Sequence, residues 1–426
     1  MISKMKIEPT TLNEMVSGRK LFVWGARHEG YAASLVFKRL GAELESFIDS
    51  SHALQGSQAF GYSILLPEHF FAKYLPRDAF VIIASGFYAD EISDVCLNHN
   101  FLKGEDFLVF GELRKFNYQV DISGSCNLRC ISCPRGNYPV HRKSGFMKPE
   151  TYEKVLQKIL KEDPYTGIIT LYNWGEPLLN RDLPEIIRLT NDYSLLSAIS
   201  SNLSLNVDFE PVVAAKPTWF RVSNSGWKDN YEITHTGANW NLFYGNLFKL
   251  KEYRDQHHPD MIVELFFHIY NHNREDFSKM KDLCDSLGFT LRYRHAALAP
   301  LDNIKKIQDD IPVSAEANKT RGLQFLKVEE ALRLAKSADE KSRPCYYEDH
   351  LWINWDLQVA HCMEWYQPGL NLVQKDFLSV TTDELLVARA RSEFCKTCKA
   401  HGIHRVYCVY GDEKLIEQKR SLGDRS

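Results

Sequence analysis

Three cysteines spaced Cys126-x3-Cys130-x2-Cys133, directly behind the apolar run Tyr118–Ile122, constrain this chain more than any other feature. Ten cysteines in 426 residues are too many to ignore, and a secreted disulfide framework belongs to much smaller chains. Thiols gathered this tightly point to metal. A looser second group follows at Cys345, Cys362, Cys395, Cys398 and Cys408, while Cys96 and Cys284 stand alone in apolar-periodic segments and read as small core residues.

The length implies two or three domains. A net charge of −3 offers no electrostatic reason for nucleic acid or an anionic membrane as a partner. The start, Met1-Ile-Ser-Lys-Met-Lys-Ile7, lacks the apolar core of a signal peptide, and no apolar stretch approaches the ~20 residues that span a bilayer. A cytoplasmic location is the expectation.

Pattern divides the chain into four segments. Residues 1–113 read as an α/β domain: strands at Leu21–Trp24, Phe47–Asp49, Phe80–Ala84 and Phe107–Phe110, with a helix at Ala89–Asn98. Strand, glycine turn (Gly25 and Gly30), helix, strand-ending acid (Asp49) is the order of a Rossmann half, although Gly-x4-Gly is an incomplete dinucleotide fingerprint. The competing reading is a tight turn without a ligand. The run Gly25-Ala26, Gly30, Phe47-Ile48-Asp49-Ser50 and Gly61-Tyr-Ser-Ile-Leu65 also resembles the small nucleotide-sugar-binding domains that precede some sugar acetyltransferases.

Residues 114–300 alternate strands (Tyr118–Ile122, Ile168–Tyr172, Ala198–Ser200, Trp219–Ser223, Met261–Ile269, Thr290–Arg294) with helices, predicting a partial (β/α)6 TIM-like barrel whose ligands sit at the carboxyl ends of the strands. Residues 301–343 read as a linker with one helix near Gly322–Ala338. Residues 344–426 read as a small, core-poor iron–sulfur domain, with a capping box at Thr381-Thr-Asp-Glu384.

Three thiolates wrap three corners of an iron–sulfur cube and leave the fourth iron open, whereas structural zinc wants four ligands. The run Asp121-Ile-Ser-Gly-Ser-Cys126-Asn-Leu-Arg-Cys130-Ile-Ser-Cys133-Pro resembles the signature of the radical S-adenosylmethionine (SAM) superfamily. That resemblance implies a [4Fe–4S] cluster on Cys126, Cys130 and Cys133 that cleaves SAM, fed by a reductase such as flavodoxin or ferredoxin. It also implies SAM contacts along the strands: Gly175 and Glu176 in Asn173-Trp-Gly-Glu-Pro177 for the ammonium, Ser200 and Asn202 for the ribose, then Ser223, and Asn271 beyond the fifth strand. Ser132 and Trp174 depart from the usual residues at their positions.

The second cysteine group resembles the auxiliary-cluster modules called SPASM and twitch. The likeness implies one auxiliary [4Fe–4S] cluster on Cys345, Cys362, Cys395 and Cys398, with Cys408 a spare or substitute ligand and His404 at a usual cysteine position. A four-cysteine zinc knuckle is the competing reading. Leu357 stands where SPASM proteins usually carry a hairpin glycine.

These features predict a radical SAM oxidoreductase or epimerase acting on a carbohydrate-like or nucleotide-activated small molecule, possessing an auxiliary cluster that handles an electron. The alternative is a SPASM-type maturase of ribosomally made peptides. The catalytic residue is unknown; Arg292, His295, His268 and Tyr293 lie near strand ends as candidates for the pocket wall, and Cys408 as a hydrogen-atom donor.

Overall fold

The computed structural model describes residues 7–86, 88–140 and 143–412; the start through Lys6 and the stretch beyond Asp412 lie outside the described residues. The chain forms two compact units, one of Met1–Asn117, Leu156–Ile169 and Thr190–Leu196, the other of Tyr118–Val155, Thr170–Leu189 and Ser197–Ser426. Residues 344–412 thus fall in the second unit together with the strands after Asp121.

The first unit contains strands β1 (Lys20–Trp24), β2 (Leu44–Ile48), β3 (Gln58–Ala59), β4 (Tyr62–Leu65), β5 (Ala79–Ile83) and β6 (Phe107–Val109), in spatial order β3-β4-β2-β1-β5-β6. All pairings except the β3–β4 hairpin are parallel. The parallel strands taken alone run 3-2-1-4-5, the doubly wound order. Unbroken apolar runs make such strands because both faces are covered. In β1, Leu21 and Val23 enter one core cluster and Phe22 and Trp24 the other. β5 divides the same way, Phe80 and Ile82 against Val81 and Ile83.

Arg39, at the end of helix His28–Arg39, ties this unit together. Its guanidinium donates to the carbonyls of Pro164 (2.8 Å), Thr166 (2.7 Å), Ser194 (3.1 Å) and Tyr193 (3.4 Å). The two returning chain segments thus meet on one side chain.

The second unit is built on β7 (Asn117–Asp121), β8 (Ile168–Thr170), β9 (Leu196–Ser201), β10 (Trp219–Asn224), β11 (Ile262–Ile269) and β12 (Thr290–His295), with β13 (His350–Asn354), β14 (Gln358–Ala360) and β15 (Asn371–Asp376). They form one nine-stranded sheet, β12-β11-β10-β9-β8-β7-β13-β14-β15. The first six stand in sequence order, as βα repeats produce, and β9 to β12 are paired in parallel. β13 takes the open side of β7, so the cysteine-bearing tail extends the main sheet.

Two expectations need correction. Residues 301–343 are not a linker with one helix: they fold as helices Leu301–Gln308, Ala315–Leu323, Val328–Ala335 and Ala338–Ser342, and Gly322–Ala338 is broken between Leu323 and Val328. Leu301, Ile304, Ala317, Val328, Ala331, Leu332 and Ala335 recur at helical spacing and enter one core with Trp365, Ile403, Val406, Tyr407, Val409 and Tyr410. The same cluster shows that the C-terminal segment is not core-poor. The capping box at Thr381 and Glu384 forms, starting helix Thr382–Arg391. Among the described residues no helix is long and apolar enough to cross a membrane.

Candidate functional site

The loop after β7 carries Cys126, Cys130 and Cys133, and backbone bonds hold it from both sides. Arg129 N donates to Thr236 O (2.9 Å), Ile131 N to Thr234 O (3.1 Å), and Cys133 N closes a turn on Cys130 O (3.0 Å). Thr320 Oγ1 and Asn137 Nδ2 both donate to Ile131 O, each at 2.8 Å. Gly136 lies so close that a side chain there would come within 2.7 Å of the Arg129 carbonyl carbon. The three thiols interact electrostatically. Burial pushes Cys126 up to about 12 and Cys133 up to about 11, and Cys130 well above the usual thiol range.

Cys126 Sγ accepts from Leu128 N at 3.4 Å and faces Asn202 Nδ2 at 3.9 Å. N–H donors aimed at sulfur and thiols too buried to ionise alone suit thiolates neutralised by metal. Among the described residues no three Cys, His, Asp or Glu side chains converge on a single ion.

The Asn173–Pro177 loop after β8 packs directly on this segment. A Cβ on Gly175 would come within 2.6 Å of the Ser123 carbonyl carbon and 3.1 Å of Ser125 O, so only glycine fits. That approach lets Glu176 N donate to Ser125 O at 2.7 Å. The Glu176 carboxylate, 2% exposed, accepts from Leu178 N (3.1 Å) and Asn202 N (2.8 Å). Burial raises its carboxyl to about 7 against those bonds.

The other expected contacts divide. Ser200 and Ser223 are half-buried on strand ends, on the same sheet face as Arg221. Asn202 is held on all sides: Nδ2 donates to Asn127 Oδ1 (2.9 Å), Oδ1 accepts from Ser204 N (2.8 Å), and its carbonyl accepts from Tyr231 Oη (3.2 Å). Asn271 is exposed and donates to Gln324 O at 3.1 Å. Asn173 Nδ2, in the loop after β8, is buried with no hydrogen-bond partner among the described residues, which leaves a donor for a bound group.

Two aromatic residues were not legible in advance. Tyr270, behind β11 and 1% exposed, hydrogen-bonds Ser132 between two of the cysteines. Trp355, in the turn between β13 and β14, lies against both Gly124 and Gly145; a side chain on either glycine would come within 2.5 Å of the indole. Gly124 N donates to Gly145 O at 2.8 Å, so the indole covers a backbone bridge two residues before Cys126. Small residues opposite a distant tryptophan leave no periodic signal.

In the second group, Cys395 and Cys398 share one face of helix Glu393–Ala400, whose N-cap Ser392 accepts from Cys395 N at 3.1 Å. Cys345 interacts with Cys395, Cys362 with Cys345, and Cys398 with both Cys345 and Cys395. Cys408 stands apart, and the charges acting most strongly on it are Arg405, Glu340, Arg294 and Glu364. His404 turns its ring to Arg343 O (3.1 Å). Leu357 adopts φ +67, the left-handed conformation that glycine takes without strain.

In the first unit, Gly25 (φ +118) would bring a side chain within 2.5 Å of Ala84 O, and Gly30 within 2.9 Å of the Gly25 carbonyl carbon. Asp49 accepts from Ala26 N and Ser51 N, each at 3.0 Å. Glycines and acid together build the turn itself.

No protein-family profile matches the chain. A stretch of 75 residues, 18% of this chain and 29% of the relative's length, is 28% identical to the S-adenosyl-L-methionine-dependent 2-deoxy-scyllo-inosamine dehydrogenase of Niallia circulans. The chain thus spans under a third of that curated relative. Among solved structures, BtrN in complex with AdoMet and 2-DOIA aligns at 16% identity over 68% of this chain and 87% of that one, with a TM-score of 0.39. Streptococcus suis SuiB bound to S-adenosylmethionine aligns at 13% over 74% and 76%, with a TM-score of 0.45. The anSMEcpe structure with AdoMet and the Cp18Cys peptide aligns at 15% over 68% and 87%, with a TM-score of 0.42. In its cysteine motif the chain is similar to radical SAM enzymes, and in its matches to proteins that bind or depend on S-adenosylmethionine.

Proposed function

We propose that this protein is a radical SAM enzyme of the cytoplasm that oxidises or epimerises a carbohydrate-like or nucleotide-activated small molecule. The observation that carries the reading is the meeting of three strand ends. The loop bearing Cys126, Cys130 and Cys133 follows β7, Gly175 lets the Glu176 loop dock on it after β8, and Asn202 after β9 joins the Glu176 carboxylate to the Cys126 sulfur. A cluster and SAM bound there would supply reductive cleavage of SAM and hydrogen abstraction from the substrate.

The chain's own part is positioning. Cys126, Cys130 and Cys133 would hold a [4Fe–4S] cluster that binds SAM. Glu176, fixed by two backbone donors, would receive the SAM ammonium with Gly175 beside it, and Ser200, Asn202 and Ser223 would serve the ribose. Cys345, Cys362, Cys395 and Cys398 would hold one auxiliary [4Fe–4S] cluster, which would supply electron transfer and so suit a net oxidation. The doubly wound first unit supports a nucleotide-type substrate by fold alone.

Anaerobic reconstitution of the full chain with iron and sulfide tests this. The expected result is about eight irons per chain and 5′-deoxyadenosine formed from SAM under reduction; replacing Cys126, Cys130 and Cys133 together by alanine removes about half the iron and all SAM cleavage. Product analysis with nucleotide sugars and with short peptides then separates small-molecule oxidation from peptide maturation. Wild-type protein that loads both clusters and leaves SAM intact would overturn the proposal.

A further inference from the structure

The sheet of the second unit presents two chemically opposite faces. Residues paired in register on parallel strands share a face, and alternate residues change face. Phe220, Val222, Leu265 and Phe267 lie on one face and are fully buried. Phe267 and Tyr293 both meet Phe277 of helix Asp276–Leu287, so helices cover that side. His295, also on it, packs against Phe325. Tyr293 and His295 therefore do not line the pocket that their strand-end positions suggested.

The other face carries Arg221 and Ser223 on β10, Glu264, Phe266 and His268 on β11, and Arg292 and Arg294 on β12. All but Glu264 keep solvent-accessible surface. Three guanidiniums share this face with one carboxylate, in a chain whose net charge is −3. Glu264, 2% exposed, binds Arg221 Nε at 2.9 Å through one oxygen and Arg292 Nε at 2.8 Å through the other. Both of its oxygens are engaged, and positive charge remains.

Arg294 is the guanidinium of the three that forms no ion pair among the described residues; it lies 5.9 Å from the Tyr407 ring centre and within reach of the Glu364 charge. It donates to Tyr407 O at 3.0 Å, and its buried Nε has no hydrogen-bond partner among the described residues. Glu364, the acid that acts on it from the C-terminal segment, hydrogen-bonds Tyr347 and forms no ion pair with Arg294 among the described residues. Beside Arg294, His268 is held down at about 3, by burial first and then by the Arg294 charge. Concentrating like charge on a partly enclosed face is unfavourable unless an anion completes it. Guanidinium forks match the paired oxygens of phosphate and carboxylate.

We propose that Arg294, backed by Arg221 and Arg292, is the binding residue for an anionic group of the substrate, a phosphate or a carboxylate. This rests on the reading of the site as a radical SAM centre with a small-molecule substrate, and it narrows that substrate to an anionic one. A nucleotide-activated sugar supplies phosphate; a sugar acid or a peptide carboxyl supplies carboxylate.

The full-length reconstituted protein is titrated calorimetrically with inorganic diphosphate and, separately, succinate, with and without saturating SAM. The wild type is expected to bind at least one of them, with SAM leaving that affinity unchanged, and the better ligand identifies the anion class. Arg294→Gln is expected to weaken binding tenfold or more, Arg294→Lys less, and Arg333→Gln, on an exposed helix surface, not at all. Circular dichroism and melting establish that each variant is folded. Absence of binding by the wild type, unchanged affinity in folded Arg294→Gln, or displacement of the anion by SAM would each overturn the proposal. Anion binding that depends on Arg294 in a protein unable to cleave SAM would support the subsite and reject the enzymatic reading, so the two failures are distinguishable.

Discussion

Replacing Gly175 by alanine tests the packing on which the candidate site depends. The new methyl would lie 2.6 Å from the Ser123 carbonyl carbon, with Ser123 O nearer still. Relieving the carbon alone to ordinary contact near 3.4 Å moves the two loops apart by about 0.8 Å, and the nearer oxygen demands more. The Glu176 N to Ser125 O bond, 2.7 Å at present, then stretches beyond useful length. Overpacking costs about 1–3 kcal/mol and the lost bond about 1 kcal/mol, so a destabilisation of about 2–4 kcal/mol follows. At about 2–4 °C per kcal/mol, the second unit should melt roughly 4–16 °C lower. Iron uptake at the first cysteine group should fall, because Ser125 precedes Cys126. Gly245→Ala is the control: nothing lies within 4 Å of its added methyl, on an exposed position of helix Trp240–His257, and it should stabilise by about 0.5–1 kcal/mol. Scanning calorimetry and iron analysis on all three proteins give the answer. If Gly175→Ala melts within 2 °C of wild type and loads full iron, the loops are not in the contact described, and the reasoning fails.

Removing the Trp355 indole should leave the Gly124–Gly145 bridge uncovered, cost about 3 kcal/mol and lower iron at the first cysteine group while the second stays loaded; Trp355→Phe should restore most of it, as iron analysis and electron paramagnetic resonance would show. His235, 7% exposed and bonded through Nδ1 to Ser225 Oγ at 2.8 Å, is held by burial at about 4 against an ordinary 6.5. The unfolded chain takes up a proton that the folded chain refuses, so stability present above pH 6.5 declines as pH falls toward about 4, by up to about 3 kcal/mol; urea midpoints of wild type and His235→Gln at pH 7 and pH 5 should differ in slope, and equal slopes would refute it. Arg39→Lys replaces a planar fork with one ammonium that cannot reach four carbonyls, and urea unfolding should register a loss of about 2–4 kcal/mol.

What could be read from the sequence was whatever short-range pattern encodes. Strand positions were legible because Leu21–Trp24 and Phe80–Ile83 are unbroken apolar runs and the later strands recur between amphipathic helices. The cysteine loop was legible because x3 and x2 spacing is a local property. Residues 301–343 misled because their charged outward faces conceal Leu301, Ile304, Val328 and Leu332, whose partners at Ile403–Tyr410 lie some hundred residues away or less in sequence yet obey no local period.

The tertiary structure alone decided which polar residues act together. Glycine at 175 has meaning only once Ser123 lies against it, and Trp355 only once the β13–β14 turn reaches Gly124 and Gly145. Arg221, Glu264, Arg292 and Arg294 come from three strands, and register and alternation set them on one face while turning Tyr293 and His295 to the other. The charges acting most strongly on Cys408 are Arg405, Glu340, Arg294 and Glu364, whereas Cys345, Cys362, Cys395 and Cys398 act on one another. The physical reason is common to all of these. Spacing along a chain specifies the local conformation, but a charge or a thiol takes its chemistry from neighbours that only the folded sheet supplies.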